Sequence, residues 1–124
     1  MTKIISAAAA LGAAAVLSQT AAASDRDPEI AAIERMLRTY ETALNASDTD
    51  SVMALYAPDG VFMPQHSPSS VGAAAVRSAY DQVFNAITLK VRFDIVEIVP
   101  VAPNWAFART NSAGTVTVKA NDRT

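Results

Sequence analysis

The chain has 124 residues, with 10 basic and 12 acidic side chains, a formal net charge of -2 and no cysteine. This length suits one small domain, and a mildly acidic balance argues against nucleic acid or an anionic membrane as a partner, because both attract clustered Lys and Arg. The lack of cysteine excludes disulfides, thiolate metal sites and thiol nucleophiles. No other residues match a metal-ligand or cofactor-binding motif, so we expect neither a metal nor a cofactor.

Residues 1–23 have the pattern of a secretory signal peptide. Lys3 gives a basic start, an apolar run follows as far as Leu17, and the alanines that end at Ala23 fit the small-residue rule for cleavage. This run is shorter than the roughly 20 apolar residues that a membrane anchor needs. We therefore expect cleavage after Ala23, export to the periplasm or the medium without a membrane anchor, and one domain over residues 24–124.

Two helices are predicted at the start of this domain. Asp27-Pro28-Glu29 supplies an N-cap, a proline in the first helical position and an acidic residue near the positive end of the helix dipole. Apolar residues then recur at the three- and four-residue spacing of a buried helix face. They are Ile30, Ile33, Leu37, Tyr40 and Leu44. Ser47 or Asp48, within the polar break that begins at Asn45, can cap a second, short helix that carries Tyr56.

A short strand, a loop and a third helix are predicted next. Pro58-Asp59-Gly60 is a turn signal, after which residues 61–63 are predicted to form a strand and residues 65–70 a loop. The third helix follows, with Arg77 and Asp81 paired on its outer face. Its apolar stripe consists of Val76, Tyr80, Val83 and Ile87.

The remaining residues have the alternation that is typical of strands. Residues 90–99 alternate polar and apolar side chains, and residues 100–104 are predicted to turn. Residues 111–114 are either a hairpin turn or a bulge within one long strand that continues to Lys119. Because the helices come first and the strands afterwards, we predict an α+β fold in which a curled antiparallel sheet packs on the helices.

Three segments resemble a known family: LYAPDGVFMPQ, VGAAAVRSAY and WAFARTNSAG. With the order of the predicted elements, they make residues 30–119 similar to the nuclear transport factor 2-like superfamily, and within it to exported bacterial SnoaL-like domains. The resemblance implies a cone-shaped fold with three helices, whose curved antiparallel sheet wraps around the long first helix and leaves a pocket open at one end, often in a homodimer. Members usually add two long strands beyond the position of Ala120. We therefore expect a chain that lacks the last two strands, and favour truncation over a sheet completed differently.

Tyr40 is the first candidate site residue. In ketosteroid isomerase-like members of this superfamily, a tyrosine at the matching place donates a hydrogen bond to a developing oxyanion, and the resemblance implies the same chemistry here. Those isomerases also need an aspartate base, but the matching position here is Pro64, between Met63 and Gln65. Isomerisation of the steroid type is therefore not expected. The alternative for Tyr40 is a core tyrosine whose hydroxyl reaches a neighbouring group.

His66 and Arg109 are the other candidate polar groups. His66 is the only histidine, the residue type most often used for acid–base work, and it follows the predicted strand near the expected mouth of the cone; the alternative is a solvated loop histidine. Trp105, Phe107 and Arg109 share one face of a strand that looks into the cone in relatives, which suits an apolar ligand with an acidic or carbonyl group. The alternative is a core strand with Arg109 at its rim or in a dimer contact. The expected pocket walls are Tyr40, Leu44, Tyr56, Phe62, Trp105 and Phe107.

Three functions are compatible with these patterns. The first is an exported domain that binds a small apolar or carbonyl-containing molecule through those walls, with His66 and Arg109 as polar contacts and without demonstrated chemistry. The second is a SnoaL-like enzyme that catalyses cyclisation, isomerisation or hydration, with His66 as acid–base and Tyr40 or Arg109 stabilising negative charge. The third is a dimerisation module whose cavity is filled by its own side chains. Convergence of His66, Tyr40 and Arg109 on one cavity would favour the enzyme.

Overall fold

Capping residues set the bounds of the helices in the structure, a computed structural model that describes residues 27–120. The Asp27 side chain accepts a hydrogen bond from the backbone N–H of Glu29 at 2.9 Å. Ser47 ends the first helix in the left-handed conformation, and Asp48 caps the next helix by accepting from a backbone N–H. The helices are α1 (Pro28–Ala46), α2 (Thr49–Met53) and α3 (Ala73–Ala86).

The strands form two antiparallel pairs. They are β1 (Val61–Phe62) with β2 (Ser70–Val71), and β3 (Ile87–Ala102) with β4 (Trp105–Val118). The predicted α+β chain with three helices is confirmed, and among the described residues the sheet that packs on α1 consists of β3 and β4. The loop predicted for residues 65–70 is wrong at its end, because Ser70 pairs with Phe62. The predicted signal peptide and its cleavage site lie outside the described residues.

Side chains of α1 complete the edge of β3 that faces away from β4. Asn45 accepts a hydrogen bond from the Val91 N–H at 2.7 Å and donates one to the Val91 carbonyl at 2.8 Å, as a neighbouring strand would. Glu41, one helical turn earlier, accepts from the Phe93 N–H at 2.5 Å, and Arg38, two turns earlier, donates to the Phe93 carbonyl at 2.7 Å. An open strand edge exposes unpaired backbone groups. The side chains of α1 pair with these groups, and the bonds hold α1 against β3.

β4 is one continuous strand, so residues 111–114 form neither a turn nor a bulge. Gly114 lies opposite Val91 with a φ of 152°. A Cβ at Gly114 would lie 2.0 Å from the carbonyl oxygen of Lys90, which is too close for any side chain to fit there. The close approach of the two strands therefore requires glycine at this position.

The irregularities of the hairpin lie in β3 instead. The register shifts at Val96 and again at Val101, and Pro103-Asn104 joins the two strands. The predicted turn of residues 100–104 is therefore wrong in its first part, since Pro100 still pairs within the ladder.

The hydrophobic core lies where α1, α2 and α3 meet β3. Its buried side chains are Ala43, Leu44, Val52, Val76, Tyr80, Phe84 and Phe93. The apolar stripe predicted for α3 is wrong at its end. The helix stops at Ala86 and Ile87 begins β3, so Phe84 and not Ile87 is the last buried residue of the helix. No helix within residues 27–120 has both the length and the apolar character needed to cross a membrane.

Two polar contacts at the surface join α2 to α3. Arg77 forms an ion pair with Asp50 at 2.6 Å, and the Thr49 hydroxyl donates to Asp81 at 2.7 Å. The predicted pair between Arg77 and Asp81 within α3 is therefore wrong, since each residue binds a partner on α2. Exposed contacts of this kind contribute little stability.

Replacing Asn45 with alanine is expected to lower the free energy of unfolding by about 1–3 kcal/mol, because the N–H and C=O of Val91 lose their partner. Urea denaturation followed by circular dichroism measures the change. The matched control is Asn85→Ala, since Asn85 is exposed on α3 and its loss should change stability by less than about 0.5 kcal/mol. Equal losses in the two variants would contradict the role assigned to Asn45.

Candidate functional site

Three tyrosine hydroxyls meet where the helices converge. Tyr80 of α3 is central: its hydroxyl lies 2.5 Å from the hydroxyl of Tyr40 on α1 and 2.9 Å from that of Tyr56, which follows α2. Tyr80 is 1% exposed, whereas Tyr40 and Tyr56 are half-buried. The sequence contains no other tyrosine. Three separate elements therefore bring all the phenols of the chain to one point.

Aromatic packing holds the ring of Tyr80 in place. Phe62 of β1 stacks on it with ring centroids 4.5 Å apart, and Phe84 packs on it at 5.8 Å. Tyr40 meets Tyr80 edge-on and packs against Phe93 at 5.7 Å. Since rings packed in this way have little freedom to turn, the Tyr80 hydroxyl is directed at its two phenol neighbours.

The network holds three hydroxyl protons and two well-formed hydroxyl–hydroxyl hydrogen bonds, and Tyr40 and Tyr56 also interact with each other more weakly. A buried hydroxyl proton without an acceptor is costly, so Tyr80 donates to one neighbour and accepts from the other. The phenol at the end of this chain, Tyr40 or Tyr56, then has a proton whose only acceptor within the network is the weak contact between these two residues. An acceptor brought next to that phenol would complete the chain.

Burial keeps the phenols of Tyr40 and Tyr80 neutral. It raises the pKa of the Tyr40 phenol above its usual value, while the hydrogen bond with Tyr80 acts in the opposite direction. Burial also raises the pKa of Tyr80, and its hydrogen bonds with Tyr40 and Tyr56 add to the increase. At neutral pH Tyr40 and Tyr80 are therefore hydrogen-bond donors and not phenolate bases.

An open groove of about 320 Å³ reaches Tyr40 and Tyr56 from solvent, and we call it the tyrosine groove. Its other lining residues are Met36, Leu37, Leu55, Ala57, Gly60 and Val61, which are all apolar or small. Gly60 shapes this groove, because a Cβ there would lie 2.8 Å from the ring of Tyr56. An apolar wall with a phenol donor suits a small molecule that has an apolar body and one acceptor.

The predicted pocket walls on the helices and β1 lie at different depths. Tyr40 and Tyr56 line the tyrosine groove, as the predicted pocket requires. Leu44 does not, because it lies one turn further along α1 inside the core and is 7% exposed. Phe62 supports the Tyr80 ring from behind and lines a separate groove beside the loop between β1 and β2.

Trp105, Phe107 and Arg109 do share one face of β4, but they do not line the tyrosine groove. Trp105 and Phe107 line a separate groove between α1 and the tip of the hairpin. Trp105 is 72% exposed and Phe107 is 48% exposed, and Arg109 forms an ion pair with Glu97 at 2.9 Å. The expectation that these residues line the same pocket as Tyr40 is thus wrong.

His66 lies in the exposed loop between β1 and β2, with a positive φ of 60°. It is not among the residues that line the tyrosine groove, and neither is Arg109. The structure therefore does not bring His66, Tyr40 and Arg109 to one groove. Within residues 27–120 there is also no group of three or more His, Asp or Glu side chains that could hold a metal ion.

Sequence reasoning did not identify Tyr80 and Gly60 as site residues. The helical spacing of α3 predicts only that Tyr80 is buried, which is correct but says nothing of its hydroxyl. One signal was available: all three tyrosines occupy inward-facing positions, where phenylalanine would serve a purely apolar core. The need for glycine at position 60 becomes visible only once the Tyr56 ring is placed beside it.

Comparison with known proteins assigns the fold to a family. A model of the SnoaL-like domain matches residues 36–124. The chain belongs to the SnoaL-like family. The membership in the nuclear transport factor 2-like superfamily that the sequence motifs predicted is thereby confirmed.

Several solved structures resemble this SnoaL-like domain. A ketosteroid isomerase-like protein from Erwinia carotovora atroseptica is 35% identical, with a TM-score of 0.75 over 78% of this chain and 75% of that chain. A conserved protein from Planctomyces limnophilus is 23% identical, with a TM-score of 0.66 over 77% of this chain and 73% of that chain. A Mycobacterium tuberculosis protein of unknown function is 22% identical, with a TM-score of 0.58 over 73% and 55% of the two chains. The last two share the fold alone, and no curated protein sequence matches the chain.

The phenol network predicts a loss of stability at alkaline pH. The folded state holds the Tyr80 proton above pH 10, where an unfolded tyrosine has released it, so the free energy of unfolding should fall as pH rises above about 10. The contribution of one such phenol is about 1.4 kcal/mol per pH unit. Urea denaturation between pH 8 and 11 measures this slope, and Tyr80→Phe should reduce it. The same slope in both proteins would contradict a protonated, buried Tyr80.

Proposed function

We propose that this chain is an exported SnoaL-like domain that binds a small, mostly apolar molecule carrying a carbonyl or similar acceptor. The acceptor would receive the terminal phenol proton of the Tyr40–Tyr80–Tyr56 network, and the apolar part would lie on the groove wall. The observation that carries the proposal is that this hydroxyl chain ends in an apolar groove, at a phenol whose proton has only a weak acceptor within the network.

Hydrogen-bond cooperativity supports this proposal. Each hydroxyl that donates to the next becomes a better acceptor and is itself more strongly polarised, so the terminal phenol is a stronger donor than an isolated tyrosine. The surrounding side chains of Leu37, Leu55 and Val61 offer an apolar wall to the body of the ligand. The ligand would therefore be recognised by one strong hydrogen bond and by apolar burial, with no charge needed on either side.

The composition of the groove favours binding over catalysis. The described residues that line it include no carboxylate, imidazole or amine that could take a proton from a bound molecule. Pro64, where the family resemblance implies the base of an isomerase, lines a different groove. A solved structure that resembles this chain bears the name ketosteroid isomerase-like, which supports a carbonyl-containing ligand here without implying turnover.

Export and dimerisation belong to the same proposal. Export is inferred from the signal pattern of residues 1–23. A homodimer is inferred because members of the superfamily often form one. A purely structural dimerisation module is less favoured, because Trp105 and Phe107 are exposed and do not fill the cavity next to Tyr40.

A pair of matched probes tests the phenol donor. Cyclohexanone and methylenecyclohexane have nearly the same shape, but only the ketone accepts a hydrogen bond. We expect cyclohexanone to bind about three- to tenfold more tightly, the effect of one net hydrogen bond. NMR chemical-shift titration of the folded protein measures both affinities, with shifts expected at Ala57 and Gly60 on the groove wall.

The preference should disappear in the double variant Tyr40→Phe, Tyr56→Phe, which keeps both rings and removes both terminal hydroxyls. Thr42→Val is the matched control. It also removes a hydroxyl from α1, but this hydroxyl is exposed and donates to the Arg38 carbonyl. Equal affinity of the wild-type protein for the two probes would refute the proposal. So would an unchanged preference in the tyrosine double variant.

A further inference from the structure

We propose that the tyrosine groove continues over Met36 into a second groove, and that the two together hold one elongated ligand. The acceptor of this ligand would lie at the phenols, and an unbranched, uncharged tail would run along α1 to Trp105. This inference rests on the function proposed above. It adds that the ligand is elongated, and that its tail passes Met36 between the two grooves.

The second groove, here called the tryptophan groove, lies between α1 and the tip of the hairpin. It has a volume of about 540 Å³ and is lined on α1 by Glu29, Ala32, Ile33 and Met36. The facing wall is residues 103–108, which include Trp105 and Phe107. Among residues 27–120, Met36 alone lines both grooves. The two spaces therefore meet at this side chain.

Helix periodicity makes the path continuous. Ile33, Met36 and Tyr40 follow one another at three- and four-residue spacing, so their side chains lie along one stripe of α1. The stretch from Glu29 to Tyr40 covers about 16 Å of helix. A molecule that reaches from the phenols to Trp105 must be of about that length, well beyond a single ring.

The side chains on this path indicate what it would accept. Met36 is 41% exposed and has a flexible, polarisable side chain that can move aside or pack on a tail. Trp105 and Phe107 offer a large exposed apolar surface at the far end, of the kind that marks a binding surface. Glu29 at the same end disfavours a carboxylate or phosphate there. The tail is therefore apolar and not anionic.

A homologous series of ketones tests the inference. Cyclohexanone fits the tyrosine groove alone, whereas 4-propyl- and 4-heptylcyclohexanone carry tails that would enter the tryptophan groove. Each methylene that is buried should tighten binding by about two- to fourfold. Trp105 is the only tryptophan in the sequence, so its fluorescence reports the tail: the emission should move to shorter wavelength with the heptyl ketone and stay unchanged with cyclohexanone.

Methionine variants locate the path of the tail. Met36→Ala should reduce the gain in affinity per methylene, because the tail loses its contact between the two grooves. Met63→Ala is the matched control, since Met63 is 74% exposed and lines neither groove; it should keep the full gain. Alanine is well tolerated within a helix, so Met36→Ala is expected to fold normally.

The possible outcomes separate this inference from the function on which it rests. If cyclohexanone binds with the expected tyrosine dependence but longer tails add no affinity, the elongated ligand is refuted and the proposed function stands. A gain with tail length that leaves Trp105 emission unchanged, or that is equal in Met36→Ala and Met63→Ala, also refutes it, because the tail then lies elsewhere. If no ketone binds, the proposed function fails and this inference fails with it.

Discussion

The buried hydroxyl of Tyr80 is the group on which the arrangement of this chain depends. It lies in an aromatic environment formed by Phe62 and Phe84, where an unbonded hydroxyl would cost about 1–3 kcal/mol. The partners that satisfy it are phenols from two other elements, Tyr40 and Tyr56. One polar requirement in the core thus joins α1, α3 and the segment after α2. It also leaves a hydrogen-bond donor at the groove, so stability and binding share the same atoms.

The position of Tyr40 depends in turn on the contact between α1 and β3. Asn45 and Glu41 bind the backbone of Val91 and Phe93 in the manner of a neighbouring strand. Backbone hydrogen bonds are directional, so α1 cannot rotate about its axis without breaking them. The helix is consequently fixed with Tyr40 directed at Tyr80, while Met36 remains at the surface between the two grooves. The polar residues near the end of α1 therefore determine the shape of the site.

The parts of the fold that depend on neighbouring residues could be predicted from the sequence, and the parts that depend on distant pairing could not. Asp27 and Asp48 cap their helices as expected, because a cap needs only the next few N–H groups. The face of the sheet on which Trp105 lies depends on the register of two strands, and the sequence of one strand cannot supply it. The site divides in the same way. The helix position of Tyr40 was predictable, but its partner Tyr80 is 40 residues away.

The central claim is that the phenol network donates a hydrogen bond to a ligand in the tyrosine groove. Infrared spectroscopy of cyclohexanone labelled with ¹³C at its carbonyl measures that bond directly. We expect the carbonyl stretching frequency of the bound ketone to be lower than in hexane, and Tyr80→Phe to reduce the shift because the terminal phenol is then less polarised. A bound carbonyl with the frequency found in hexane, or a shift that persists when both Tyr40 and Tyr56 are phenylalanine, would show that the phenols do not donate to the ligand.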